Sequence, residues 1–172
     1  MEQEKRIDNN SILFIGLANE YCNILENSEG IEKDEFIVRM LKLLPRIYIS
    51  ATDLSLPDED SDIYIEPHLE EPYYDSVRRN IEQIMGENDT FLEVFEEDMK
   101  FSDTPIAASI SECLADIFQD LYDFIQSVKD VPQSRINEIL CVCKENFNSR
   151  WGQILCNVLR ALHSAKYNDL NI

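Results

Sequence analysis

The spacing of apolar residues in the second half of the chain is the feature that most constrains its fold. Two long runs place an apolar side chain at every third or fourth position, which is the repeat of one face of an α-helix. The first run consists of Ile106, Ile110, Cys113, Leu114, Ile117, Leu121, Phe124, Ile125 and Val128. The second run consists of Ile136, Leu140, Cys143, Phe147, Trp151, Ile154, Val158 and Leu162. The runs predict two long helices, and a flanking arc at Phe118 and Tyr122 predicts a central position for the first.

Capping residues predict where these two helices begin and bend. Thr104-Pro105 indicates the start of the first, because threonine is a good N-cap and proline suits the first turn of a helix. The second would run from Ser134 to Tyr167, about 50 Å at 1.5 Å per residue. A straight helix of that length would overhang a domain of this size, so we expect it to bend at Gly152.

The first half of the chain predicts three further helices. Asn9-Asn10-Ser11 offers N-cap side chains for the first, which is expected to close at Gly30. The second begins near Lys33, and Pro45 inside its apolar stripe predicts a kink and not a stop. Pro72 fits the first turn of the third. We therefore predict an all-α fold: a single-domain bundle of five or six helices, with a long acidic loop and no sheet of more than two strands.

Negative charge is concentrated in the middle third of the chain. The net charge is −19, and residues 51–100 hold 16 acidic against 3 basic groups, which supplies −13 of it. Direct nucleic-acid binding and attraction to an anionic membrane are disfavoured, because both depend on clustered lysine and arginine. A basic protein surface is the partner class that the charge favours. We interpret residues 1–172 as one helical domain, with residues 52–71 as an acidic loop and residues 168–172 as a frayed tail.

The cysteines and the N-terminal residues indicate a reducing compartment. No CxxC spacing occurs, and the cysteines fall in helical apolar patterns, where a thiol packs as a small hydrophobic group. The first residues lack the apolar segment of a secretory signal, and the apolar stretch from Ile12 to Ala18 is too short to span a bilayer. We expect a cytoplasmic protein whose cysteines are all reduced packing residues: Cys22, Cys113, Cys141, Cys143 and Cys156.

Several segments resemble one bacterial family. They are Phe91 to Phe95, Ala107 to Leu121, Trp151-Gly152-Gln153, Leu159 to His163, and Leu43-Leu44-Pro45 with Tyr48. Together they are similar to the family known as domain of unknown function 5063, over most of the chain except the acidic loop and both tails. The resemblance implies an all-helical fold in a bacterial cytoplasm. It implies no activity and assigns no catalytic residue.

Four carboxylates at helical spacing are the weak metal candidates of the sequence: Glu112, Asp116, Asp120 and Asp123. Di-iron helical bundles hold their metals with such carboxylates, but they also use Glu-x-x-His pairs. The two histidines of this chain, His68 and His163, are not preceded by glutamate at that spacing. We predict a solvated or structurally paired face, placed opposite the apolar stripe, and no bound metal or cofactor.

A second metal pattern is incomplete. Asp58, Asp60 and Asp62 match positions 1, 3 and 5 of a calcium-binding EF loop. The glycine of position 6 is replaced by Ile63 and the glutamate of position 12 by Leu69. We therefore interpret this run as a flexible acidic loop.

Four other residues have structural interpretations. Trp151 falls in an apolar stripe and is predicted to anchor the core. His163 lies near the end of the last helix, where an imidazolium favours the dipole. Arg150 and Arg160 flank the last apolar stripe. Each could form an ion pair with one of the four helix carboxylates or bind an anionic ligand.

The sequence does not identify a biochemical activity. The leading hypothesis is a helical protein–protein interaction module with an acidic surface. The alternatives are a metal-dependent enzyme that uses the helix carboxylates, and a bundle that binds a small ligand between its helices. The absence of recognisable catalytic motifs favours binding over catalysis, and the oligomeric state is open.

Overall fold

A computed structural model describes residues 6–56, 62–93 and 106–168 of the chain. Within these ranges the structure is almost entirely helical, which confirms the predicted all-α class. A short antiparallel pair of strands, β1 (Thr90–Leu92) and β2 (Ala107–Ser109), places Phe91 opposite Ala108. The α-helices are α1 (Asn9–Glu26), α2 (Lys33–Thr52), α3 (Glu71–Met85), α4 (Ile110–Asp130), α5 (Ile136–Asn146) and α6 (Gly152–Tyr167).

Helix α4 lies at the centre of the bundle, as its wide apolar arc predicts. It packs against α1, α3, α5 and α6. The Tyr21 hydroxyl of α1 donates a hydrogen bond of 2.6 Å to the Leu114 carbonyl of α4, so the one polar atom of this buried ring is satisfied. Six large aromatic side chains are fully buried in the core: Phe14, Tyr21, Phe36, Phe118, Phe124 and Trp151.

The helices of the first half agree with the prediction except at the ends of α1. The N-cap of α1 is Asp8, whose carboxylate accepts from the Ser11 amide at 2.7 Å, and the helix ends at Glu26, before Gly30. Helix α2 continues through Pro45 without a stop, as predicted. Pro72 lies in the first turn of α3, also as predicted.

The predicted start of the central helix at Thr104-Pro105 is wrong. Residues 107–109 form β2, and α4 begins at Ile110 with Ser109 as its N-cap. The Ser109 hydroxyl accepts from the Glu112 amide at 3.2 Å, and the buried Asp89 carboxylate accepts from the Ser111 amide at 2.8 Å. Pairing with β1 and these two caps outweigh the local cap signal. Thr104 and Pro105 themselves lie outside the described residues.

The last predicted helix is interrupted where a bend was expected. A 3₁₀ turn (Gln133–Arg135) leads into α5, and a π-helical segment (Phe147–Trp151) separates α5 from α6. Gly152 follows this segment directly and is buried. A Cβ atom at Gly152 would lie 2.6 Å from the Phe147 carbonyl oxygen and 2.9 Å from its ring, so the close approach requires glycine.

The cysteine prediction is correct for three residues and wrong for one. Cys22, Cys113 and Cys143 are buried in the core, and burial raises the pKa of each thiol. Cys141 is half-buried. Cys156 is exposed on α6, so it is not a packing residue.

None of the helices in the described part of the chain is long and apolar enough to cross a membrane. Of the acidic loop predicted at residues 52–71, residues 57–61 lie outside the described residues, as do residues 169–172 of the predicted tail.

Candidate functional site

The four metal candidates on α4 have different surroundings. The Asp116 carboxylate accepts a hydrogen bond of 2.6 Å from the Tyr74 hydroxyl of α3. Asp120 forms an ion pair with Arg150 of the π-helical segment. Asp123 accepts from two backbone amides of the segment before α3, and Glu112 is exposed at the start of the helix.

Two of these carboxylates, Asp120 and Asp123, are paired between packed elements, which agrees with the structurally paired form of the prediction and not with a solvated face. The Asp120 side chain is 13% exposed, and Asp123 is 8% exposed. Burial raises the pKa of Asp120 to about 6, although Arg150 opposes this rise. Burial also raises the pKa of Asp123, and its two backbone hydrogen bonds limit that shift. Both residues lie between packed elements because α4 is in contact with neighbours on more than its apolar face.

No group of three or more His, Cys, Asp or Glu side chains in the described ranges is arranged to hold a metal ion. Of the EF-like run, Asp58 and Asp60 lie outside those ranges, and Asp62 is exposed. Leu69, at the position of the bidentate glutamate, is buried, and Ile63 packs against the core. Both residues therefore have packing roles that a calcium loop would not give them.

The remaining predicted residues do not come together in one site. Trp151 is 0% exposed and contacts the Phe147 ring at 4.7 Å, so it is a core residue as predicted. His163 is exposed and lies 4.8 Å from the Tyr167 ring. Arg160 donates to the Leu92 carbonyl at 2.5 Å, which ties α6 to β1. Arg150 pairs with Asp120, which is one of the two kinds of partner expected for it.

A surface groove that the sequence did not predict lies beside the C-terminal end of α4. We call it the His68 groove. Its volume is about 410 Å³, and the segment 62–68 forms one wall. The end of α4 and the start of α5 form the other. Its polar lining residues are Asp62, Tyr64, Glu66, His68, Ser127, Asp130 and Arg135.

Hydrogen bonds fix the two walls of the His68 groove to each other. The Asp123 carboxylate accepts from the backbone amides of His68 at 2.9 Å and Leu69 at 2.7 Å. The His68 Nε2 atom lies 3.4 Å from a carboxylate oxygen of Asp130, one helix turn from Ser127. These contacts join residues more than fifty positions apart, so the groove exists only when α4 is packed in place.

The charges in the groove are unevenly paired. Arg135 donates to the Glu138 carboxylate at 3.1 Å, so its positive charge has a partner in the first turn of α5. Asp62 and Glu66 are exposed and form no ion pair in the described part of the chain. The rim of the groove therefore carries two carboxylates without a counter-charge.

The Ser127 side chain, unlike those of Asp123 and His68, is not paired with another group in the part of the chain that the structure describes. It lines the groove and is 5% exposed, yet its hydroxyl oxygen has no hydrogen-bond partner among the described residues. A buried polar atom left unpaired costs roughly 1–3 kcal/mol, so such groups are rare in folded proteins. Ser127 follows Asp120 and Asp123 at helical spacing and lies outside the apolar run of α4, and a lone serine there gives sequence patterning no reason to single it out.

A model of the family described as domain of unknown function, DUF5063, matches residues 5–168. The chain belongs to this family. The resemblance carried by its Phe91, Trp151 and Leu159 segments is therefore confirmed. The chain is also similar to a solved structure, the crystal structure of protein BF1032 from Bacteroides fragilis. That protein is 35% identical, with a TM-score of 0.78, and the match covers 94% of this chain and 97% of that one. No curated protein matches this sequence. Family and fold are thus established, and neither assigns an activity.

Proposed function

We propose that this DUF5063 protein is an interaction module of the bacterial cytoplasm that binds a basic protein through an acidic surface. The observation that carries the proposal is a set of exposed carboxylates on the segment leading into α3, which we call the acidic edge. Its members are Asp62, Glu66, Glu70 and Glu71.

No carboxylate of the acidic edge forms an ion pair with a basic side chain in the described part of the chain. Among the described residues of 51–100, the basic side chains are Arg78 and Arg79, and both pair within α3. Arg78 contacts Glu82 at 3.0 Å, and Arg79 contacts Asp75 at 3.6 Å. The four carboxylates therefore act together on a partner, and they raise the rate of encounter with a basic surface.

The contacts of the helix carboxylates favour binding over metal-dependent catalysis. A metal would have to displace the Tyr74 hydroxyl from Asp116, Arg150 from Asp120 and two backbone amides from Asp123. Each displacement leaves a donor without its partner, which costs free energy. A role in packing accounts for these carboxylates without that cost.

The test compares two variants with equal changes of net charge. In one, the acidic edge is neutralised by Asp62→Asn with Glu66→Gln, Glu70→Gln and Glu71→Gln. In the control, exposed glutamates elsewhere are changed to glutamine: Glu20, Glu29, Glu32 and Glu145. The tagged full chain and both variants are used for affinity purification from the native host.

We expect a basic protein to be retained by the wild type and the control, and lost from the acidic-edge variant. Retention should fall between roughly 50 and 500 mM salt, because screening shortens the reach of surface charges. A partner retained equally by all three proteins at both salt concentrations would contradict the proposal and indicate an apolar interface.

A further inference from the structure

We propose that the His68 groove binds one lysine or arginine side chain of the basic partner. This inference rests on the proposed function and specifies where its main contact is made. It is carried by three features of the groove that suit a cationic side chain on an aliphatic stem.

The first feature is the combination of an apolar floor with an acidic rim. Ile63, Val131 and Ile139 line the groove, and the carboxylates of Asp62 and Glu66 stand at its rim. Lysine and arginine bury their methylene stems on apolar surface while their charged ends stay near water. The floor therefore suits the stem, and the unpaired carboxylates suit the charged end.

The second feature is an aromatic ring at the same rim. Tyr64 lines the groove and is 65% exposed, an unusual position for a large aromatic side chain. A cation over the face of an aromatic ring is attracted by the ring quadrupole. Tyr64 and the two carboxylates thus recognise the same ligand group by different interactions.

The third feature is the unpaired hydroxyl of Ser127, which is independent of the acidic residues. The hydroxyl oxygen can accept a hydrogen bond from an ammonium or guanidinium group, which has only donors. Hydrogen bonds to charged groups are about twice as strong as neutral ones. The oxygen has almost no accessible surface, so a cationic group reaches it only by moving the side chains around it, and it then satisfies an atom that the fold leaves without a partner.

The walls of the groove are held in position before a ligand arrives. Asp123 fixes the 62–69 segment to α4, and His68 contacts Asp130 across the groove. Arg135, the cation within the groove, is held by Glu138. A preformed site loses less conformational entropy on binding, which favours recognition of a single side chain.

The test measures fluorescence anisotropy of a labelled peptide of alternating glycine and lysine on the full-length protein. The same peptide with glutamine in place of lysine serves as the ligand control. The protein variants are Ser127→Ala and Glu66→Gln in the groove, with Glu20→Gln on α1 as the matched charge control. Free 1,5-diaminopentane, added as a competitor, separates a peptide side chain from a small amine.

We expect the lysine peptide to bind and the glutamine peptide not to bind. Ser127→Ala should weaken binding about tenfold, since it removes a hydrogen bond to a charged group. The same variant should unfold at an unchanged or higher denaturant concentration, because it removes an unpaired buried hydroxyl. Loss of affinity without loss of stability would separate a ligand contact from a structural role.

The outcomes distinguish this inference from the proposed function. If the lysine peptide binds in a salt-dependent way but both groove variants match Glu20→Gln, the groove is not the site and the acidic-surface proposal stands. If 1,5-diaminopentane binds as tightly as the peptide, the assignment to a protein side chain is wrong. If no basic peptide binds at all and no basic protein is retained in the purification, both proposals are overturned.

Discussion

Replacing the two helical glycines by alanine should change stability in opposite directions. Gly16 lies exposed in α1, and an added Cβ would have no atom within 4 Å. Alanine is favoured over glycine inside a helix by about 1 kcal/mol, so Gly16→Ala should stabilise the protein by about that amount. Gly152 also has a helical conformation, but its Cβ would meet the Phe147 carbonyl oxygen at 2.6 Å.

The contact at Gly152 sets the size of the expected loss. The carbonyl belongs to the π-helical backbone, and the ring at 2.9 Å belongs to a buried side chain that packs on Trp151, so neither can retreat freely. Overpacking of this kind costs about 1–3 kcal/mol, and a rigid neighbour favours the upper end. After subtracting the helix-propensity gain of about 1 kcal/mol, we expect a net loss of about 2 kcal/mol.

Urea denaturation followed by circular dichroism and by tryptophan fluorescence measures both variants. Trp151 is the single tryptophan, and it lies beside the altered contact, so the fluorescence reports the local change directly. In thermal denaturation, with about 2–4 °C per kcal/mol for a chain of this length, Gly152→Ala should lower the melting temperature by about 4–8 °C. If Gly152→Ala raised the melting temperature, as Gly16→Ala is expected to do, the close-packing argument would be refuted.

Three other changes have definite expected outcomes. Trp151→Ala should lower the free energy of unfolding by about 3–5 kcal/mol in chemical denaturation, as for other buried large aromatic residues. Because the pKa of Asp120 is raised to about 6, the folded state binds this proton more tightly than the unfolded state. Its contribution to stability should therefore grow as the pH falls from about 7 to 4, and Asp120→Asn should flatten that part of a denaturation series against pH. Changing Asp58, Asp60 and Asp62 together to asparagine should leave the melting temperature unchanged or slightly higher at low salt, since self-repulsion is reduced.

Periodicity predicted most of the fold because apolar spacing is a local property of the chain. Most of the apolar run of α4 lies in the core, and Pro45 was compatible with a continuous helix. The start of α4 could not be predicted, because it depends on strand pairing between residues that are far apart in sequence. A capping signal such as Thr104-Pro105 depends only on neighbouring residues, so it does not show that strand pairing will delay the start of the helix.

The candidate site was missed for a related reason. The segment that contains His68 is joined to Asp123 of α4 by hydrogen bonds between residues more than fifty positions apart. Because that segment is acidic, its sequence has the composition of a surface loop. A weak signal was present: Ile63, Ile65 and Leu69 are apolar residues inside an acidic stretch, and all three pack against the core. An acidic segment that repeatedly buries apolar side chains is anchored, and that feature could have indicated a fixed surface.

The π-helical segment determines which residues of α6 face the core. The continuous stripe assigned Ile154 to the buried face, whereas Leu155 is buried and Ile154 is only half-buried. A π turn holds one residue more than an α turn, and one residue corresponds to a rotation of about 100° in an α-helix. Deleting a single residue between 147 and 151 would restore a regular helix and rotate the later side chains of α6 by about 100° relative to α5. In this part of the chain, the number of residues is therefore constrained as well as their identity.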